Sequence, residues 1–381
     1  MEERKAQINF LRGVPADEAL VPVAVALADE YARVLREYGG SLIQYQTPGL
    51  TDFNGFVPLK QVLADRLKVQ GDPQRRMICS NGGMETFSLL LKTLPSGSRI
   101  ATEAVTYDRV LADISRHGHQ TVGVPLGGEG VDLEALTSVL ESNEFAVFYQ
   151  VAYHQSPSGV TVSVENMEQV SRICAEHRVL HVLDIAYFEL RYDGRLNELI
   201  DVERYPETTC IVGSFTKTLS PGAKCGFGVF PEDVVRRMTP VIANTRLNPN
   251  YPTQAAISRL IASGFYDRHL DYLRGLYGPR MDATNEAIRD CLPDLGIPRL
   301  TGGFFVGIWL PGVYDTEAYI EALKPKGVVL APSRLFAPGW QERLRREHDG
   351  IYFRLTFPAH PAENNRRGVE LIAETYHEML R

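Results

Sequence analysis

The residues best suited to chemistry lie in one run, Val212-Gly-Ser-Phe-Thr-Lys217-Thr-Leu-Ser-Pro-Gly-Ala-Lys224-Cys-Gly-Phe-Gly228. An apolar stretch ends in the hydroxyls Ser214 and Thr216, which flank one lysine. A Pro-Gly turn follows, then a second cation, Lys224. Hydroxyls with a cation can hold a phosphate. A lysine beside another cation and away from bulk water can lose its proton and attack a carbonyl, forming a Schiff base. An isolated loop lysine would merely be solvated; the whole run favours chemistry.

The elements that must position this run are legible around it. Apolar, β-branched or aromatic runs occur at Arg99–Val105, Gln120–Leu126, Ala146–Tyr153, Val179–Ile185, Thr209–Phe215 and Cys225–Phe230. Amphipathic stretches such as Leu111–His117 and Val164–His177 separate several of them. This alternation predicts an α/β fold with a mainly parallel sheet and helices on both faces. Ligands of such sheets bind at the carboxyl ends of the strands. Helical spacing is present over residues 15–38, with the regular helix expected to start at Pro22, and again at Leu59–Leu67 and Glu85–Leu94. Residues 39–58 read as an extended loop. From about residue 255 the pattern changes to long helices, Ala255–Ser263 and Arg268–Cys291, then to alternating runs at Gly302–Leu310 and Tyr352–Phe357 and a closing helix over Glu363–Leu380. That texture predicts a smaller α+β domain. The expected division is an N-terminal segment over 1–49 packed on the small domain, a large domain over 50–254 and a small one over 255–381.

Composition narrows the class. The chain has 381 residues, 44% hydrophobic and 23% charged, which suits a globular protein of about two domains. A net charge of -7 makes nucleic acid and anionic membrane poor default partners. Five scattered cysteines without a CxxC pair argue against a disulfide framework or zinc cluster, and no metal site is expected. The first residues lack a signal-peptide pattern and no apolar run approaches the length of a membrane span, so a cytoplasmic protein is expected.

At this point a resemblance can be stated. The Lys217 run resembles the S-F-S-K-x-x-x-P-G-x-R-x-G pattern of fold-type I pyridoxal-phosphate (PLP) enzymes, within them the class I/II aminotransferases of the 2-aminoadipate and kynurenine type and the aminotransferase domain of MocR-like regulators. The similarity extends from Phe10-Leu-Arg-Gly-Val-Pro15 to Arg354. No winged-helix pattern precedes it, so an enzyme rather than a MocR regulator is expected. The resemblance implies pyridoxal 5'-phosphate as cofactor and Lys217 and Tyr187 as catalytic residues. Asp184, in Asp184-Ile-Ala-Tyr187, would pair with the pyridine nitrogen and so keep the ring an electron acceptor; alone, such an aspartate could equally cap a helix. Gly82, Gly83 and Met84 would cradle the phosphate at a helix start, joined by Ser214, Thr216 and Lys224. Tyr107, in Thr106-Tyr107-Asp108, would cover the ring face, and Tyr187 would donate to the phenolic oxygen. Arg354, in Phe353-Arg-Leu-Thr-Phe357, would grip the substrate carboxylate with its planar fork. Tyr45, before Gly55-Phe-Val-Pro-Leu-Lys60, would reach the phosphate of a neighbouring subunit, which implies a homodimer with shared sites. Gly13, His154 and Arg246 are further candidates for the substrate pocket, Arg246 either meeting an acidic group of the substrate or forming an ion pair.

Three departures from that pattern stand out. The family's Q-N-P-T-G appears as Gln155-Ser156-Pro-Ser-Gly159, so Ser156 stands where a longer asparagine is usual. Lys224 replaces the phosphate arginine, and the loop from Gln46 to Asn54 is longer. In addition to these three, His154 replaces a residue that is commonly Phe; it is either a general acid or base or a hydrogen-bonded core histidine. Two reactions remain open on these residues. One is transamination of an α-amino acid. The other is β- or γ-elimination, replacement or ring closure in specialised metabolism, with S-adenosylmethionine as a candidate substrate and a second small molecule as co-substrate.

Overall fold

The computed structural model describes residues 7–142, 144–332, 335–336 and 350–380. The chain enters through a short strand, β1 (Ile8–Asn9), and the helix Asp17–Tyr38. That helix starts five residues before Pro22, earlier than the sequence pattern predicts. The first four N–H groups of a helix have no internal partner, so the missing donor of Pro22 removes only one bond close to the start. Asp17 and Glu18 add favourable negative charge in the first turn. Ala19, Val23, Leu27 and Val34 are buried on one face.

The segment after Tyr38 is more ordered than an extended loop. It holds a 3-10 turn at Gly39–Leu42 and a tight hairpin of β2 (Thr51–Asp52) and β3 (Gly55–Phe56). The buried Lys60 ammonium donates to Asp52 Oδ2 at 2.7 Å and fastens the hairpin to the next helix. Spacing of apolar residues could not reveal two-residue strands held by one ion pair.

The central sheet is built from β4 (Met77–Ser80), β5 (Arg99–Glu103), β6 (Gln120–Val124), β7 (Val147–Val151), β8 (Leu180–Asp184), β9 (Thr209–Ser214) and β10 (Gly226–Val229). Their order is β4-β10-β9-β8-β7-β5-β6. The ladders among β5 to β9 are parallel, and β10 runs antiparallel to both neighbours. The carboxyl ends of the parallel strands and the amino end of β10 therefore share one edge. Residues 81, 184, 214 and 226 meet there, with Gly226 paired to Ser80 on one side and Ser214 on the other. Helices cover both faces. One core joins the sheet to the N-terminal helix and to Tyr251–Ala262. Another lies under Leu133–Ser142 and Val164–Glu176.

A smaller sheet follows: β11 (Phe305–Pro311), β13 (Ala331–Pro332) and β14 (Gly350–Thr356) are antiparallel, and β12 (Val328–Val329) pairs in parallel with β1. Its core includes Ile8 and Phe10 but not the helix Asp17–Tyr38, which belongs to the large core. The cores part between Tyr277 and Met281, inside the helix Phe265–Cys291, rather than at residue 254. A helix of that length, about 40 Å, is long enough to serve two cores at once. Among the described residues there is no group able to hold a metal ion and no helix long and apolar enough to cross a membrane. All five cysteines are free.

One close approach sets up the shared edge. A Cβ on Gly226 would lie 2.5 Å from Gly82 Cα and 2.7 Å from Gly83 N. Only a residue without a side chain lets β10 lie against that turn. Gly226→Ala should cost about 1–3 kcal/mol of stability in urea unfolding, since the turn must shift to admit the methyl group. A variant as stable as the parent protein would contradict the packing described.

Candidate active site

A cavity of about 260 Å³ opens on the carboxyl edge, lined at one end by Asn81, Gly82, Gly83, Met84, Ser214, Thr216 and Lys224. The turn after β4 leads into the helix Gly83–Leu91, whose first N–H groups face no helical carbonyl. Gly82 has φ 134°, a backbone conformation that side chains disfavour. Ser80 Oγ donates to Gly82 O at 2.9 Å and lies 2.6 Å from Thr86 Oγ1, fixing the turn from below. The Ser214 and Thr216 hydroxyls meet at 3.0 Å. Lys224 is exposed at the rim and has no ion pair among the described residues. A helix start, two hydroxyls and a free cation make a cup for an anion.

Lys217 and Asp184 face the same cavity. The Lys217 ammonium donates to Gly13 O at 2.7 Å. Burial, then the nearby Arg354 charge, pulls its pKa down to about 8, while Asp184 acts in the opposite direction. Asp184 ends β8 with both oxygens held: Oδ1 accepts from Ala186 N at 2.9 Å and Oδ2 from the Tyr149 hydroxyl at 2.7 Å. Burial raises the Asp184 carboxyl, and those two bonds and Lys217 oppose the rise. Tyr149 is absent from the sequence-based set. A signal for it exists, because Val151 pairs with Asp184 and Tyr149 lies two residues earlier, on the same face of β7.

Tyr107, Ser156 and Tyr187 also line the cavity. Burial raises the Tyr187 hydroxyl well above its ordinary value and Tyr107 to about 12, so both remain protonated donors. Arg354 lies behind Ser156 and is buried. Its guanidinium stacks between the rings of Phe305 and Phe336, 4.3 and 4.6 Å from their centroids. It donates to Leu11 O at 2.8 Å and, more weakly, to Ser156 Oγ at 3.4 Å, while its Nε has no partner. Ser156 is held by the turn that follows β7. There Gln155 Nε2 donates to Glu103 Oε2 at 2.9 Å and to Val105 O at 2.7 Å. Glu103 is fully buried, and burial raises its carboxyl to about 8.

Three candidates lie elsewhere. Arg246 does not face a substrate pocket: its guanidinium donates to Glu85 at 2.6 Å and to Cys79 O at 2.7 Å. Tyr45 is 66% exposed and is not among the residues lining the cavity of its own chain. His154 is fully buried, with ring nitrogens 3.0 Å from Thr161 Oγ1 and 3.0 Å from Asn197 Nδ2. The Asn197 amide donates, so His154 Nε2 accepts, and the ring is neutral with its proton on Nδ1. Gly302 and Gly303 cover it so closely that a Cβ on either would come within 2.6 Å of its atoms. The core-histidine alternative therefore describes His154.

Burial holds both His154 and His181 down at about 3. The folded value lies below the unfolded value of about 6.5, so the unfolded chain takes up more protons in between. Stability is intact above pH 6.5 and falls as the pH drops toward 3, by about 1.4 kcal/mol per pH unit for each such histidine. Unfolding free energies between pH 6.5 and 5 should show this fall, and His154→Gln should reduce the slope by about one proton's worth. An unchanged slope would place His154 in contact with water.

With the geometry described, similarity to known proteins is informative. An aromatic-amino-acid aminotransferase of Thermococcus litoralis is 26% identical over 385 residues, covering 98% of this chain and 89% of that protein. The crystal structure of a multiple-substrate aminotransferase from Thermococcus profundus superposes with a TM-score of 0.87 at 28% identity, covering 99% of this chain and 92% of the other. The α-aminoadipate aminotransferase of Thermus thermophilus, solved with N-(5'-phosphopyridoxyl)-L-leucine, gives a TM-score of 0.84 at 26% identity, covering 99% and 93%. The family profile "Aminotransferase class I and II" matches residues 6–372, and this chain belongs to that family.

Proposed function

We propose that this chain transfers amino groups from α-amino acids to keto acids, using pyridoxal 5'-phosphate held in the 260 Å³ cavity. The observation that carries the reading is a lysine amine drawn down to about 8 in the same cleft as a held aspartate and an anion cup. The donor set fits the cofactor at both ends. The cup of Gly82, Gly83, Met84, Ser214, Thr216 and Lys224 suits a phosphate, and Asp184 suits a protonated ring nitrogen. Once bound, the cofactor supplies a carbonyl for the amino nitrogen and a ring that accepts electrons from the substrate Cα.

This chain's own residues do the rest. Asp184, fixed by the Tyr149 hydroxyl, would pair with the ring nitrogen and favour its protonated form. Tyr107 would cover a ring face, and Tyr187 would donate to the phenolic oxygen. Arg354, behind Ser156, would offer its weakly bonded Nη1 to a carboxylate. Lys217 would take up the cofactor aldehyde through its amine and would be the group placed to remove and return the substrate Cα proton. The aromatic sandwich around Arg354 sets the plane of the guanidinium before substrate arrives, which lowers the entropy lost on binding. We also propose a homodimer in which Tyr45 of each chain serves the neighbour's phosphate; its exposure, with that of Ile43 and Leu247, supports this.

The decisive measurement follows nitrogen. With ¹⁵N-labelled donor amino acids, label should appear in the amino acid formed from an added keto acid, and Lys217→Ala should abolish the transfer. Label retained in a product that has lost a side-chain leaving group would favour elimination or replacement instead. Arg354→Lys should raise KM at least tenfold while leaving the cofactor's visible absorbance in place, because Lys lacks the fork. The neutral amine of Lys217 is the nucleophile, so capture of the cofactor aldehyde by apoprotein should quicken about tenfold per pH unit below 8 and level off above it. Stopped-flow absorbance reads this directly; a rate that keeps rising to pH 10 would show an ordinary lysine.

A further inference from the structure

The proposed phosphate cup contains an unexpected charge. Glu85, in the first turn of the helix Gly83–Leu91, lines the same cavity as Gly82, Gly83, Met84 and Lys224. A carboxylate there opposes a doubly charged phosphate. Arg246 sits against it, at the far end of the helix Glu232–Arg246 and only 9% exposed. The Arg246 guanidinium grips both flanks of the turn. One nitrogen donates to Glu85 Oε2 at 2.6 Å, after the turn; the other donates to Cys79 O at 2.7 Å, before it. Glu85 in turn accepts from the Asn81 backbone N–H at 2.7 Å and from the Asn81 amide at 3.0 Å.

We infer that Arg246 is a positioning residue for cofactor binding: it neutralises Glu85 and holds the Asn81–Met84 turn in the shape that presents its N–H groups to the phosphate. This rests on the proposed placement of the phosphate in that turn. Arg246 touches neither cofactor nor substrate; it acts through Glu85. Glu85 belongs to the cup only because it fastens Asn81, and its charge is tolerable only while Arg246 cancels it. With Lys224 contributing a single point charge at the rim, an uncancelled Glu85 would offset a side-chain cation that has no ion pair among the described residues.

The test compares two aldehydes, pyridoxal 5'-phosphate and pyridoxal, titrated into apoprotein and followed by visible absorbance. Arg246→Leu should weaken binding of the phosphate form about tenfold and that of pyridoxal less than about twofold, because only the former meets the bared carboxylate. Arg246→Leu combined with Glu85→Gln should recover most of that loss. Should the leucine variant fail to fold by circular dichroism, Arg246→Gln carries the same expectation. Equal weakening toward both aldehydes, or a double variant no better than the single one, would overturn the inference and leave Arg246 a structural ion pair. Parent protein that binds both aldehydes equally would instead show that no phosphate cup exists here, removing the reading on which the inference rests.

Discussion

An amine buried beside a guanidinium is costly, and the site is organised around that cost. Lys217 stays near neutral pH because burial and Arg354 disfavour its charge while Asp184 supports it. The balance needs all three groups at one sheet edge. Asp184 ends β8 and Ser214 ends β9, which pair in parallel, so the aspartate and the lysine loop emerge side by side. Arg354 comes from β14 in the other sheet and reaches the cleft between two aromatic rings. Gly13, whose carbonyl accepts from Lys217, comes from the N-terminal segment. A Cβ there would lie 2.3 Å from the Phe305 ring, so that segment passes over the site only as glycine. Four distant parts of the chain converge on one proton.

The parts of this arrangement legible in the sequence are those written in local pattern. β-branched and aromatic runs bounded by Gly, Pro or polar clusters correspond to β5 through β10 to within one or two residues at most ends, because a strand buried on both faces must be apolar throughout. The glycine turn and hydroxyl run were legible for the same reason, being contiguous. What remained hidden depends on residues distant in sequence. Arg246 and Glu85 are 161 positions apart, and nothing local marks the pair as an ion pair rather than a free substrate cation. His154 sits one residue from a conspicuous motif, yet its surroundings are set by Gly302, Gly303 and Asn197 from other segments. The helical spacing over residues 15–38 marks the N-terminal helix, and its start at Asp17 rather than Pro22 follows from an apolar face that continues through the proline.

Net charge illustrates the same difference of scale. The chain carries -7 overall, yet Lys217, Lys224, Arg246 and Arg354 gather close to one cleft, against Asp184 and Glu85. Screening over about 8 Å at physiological ionic strength makes the distant surplus almost irrelevant to a ligand inside. The local set decides what binds, and it suits a molecule anionic at two separated points.

The two substitutions at the ends of the cleft act in one direction. Where related sequences are expected to use an arginine and an asparagine, this chain has Lys224 and Ser156, each offering less geometric definition or reach. Ser156 Oγ accepts from Arg354 at 3.4 Å and keeps its own O–H to donate, but with a shorter reach than an asparagine amide. Definition must then come from parts that cannot rotate. The backbone turn is clamped by Ser80, Arg246 and the bare Cα of Gly226, Asp184 is pinned through Tyr149, and Arg354 is stacked between two rings. Weaker side-chain forks at the ends are thus compatible with a firm site, provided the scaffold beneath them is rigid. The close packing around Gly226 and the ion pair of the largely buried Arg246 side chain with Glu85 are the features that make it so.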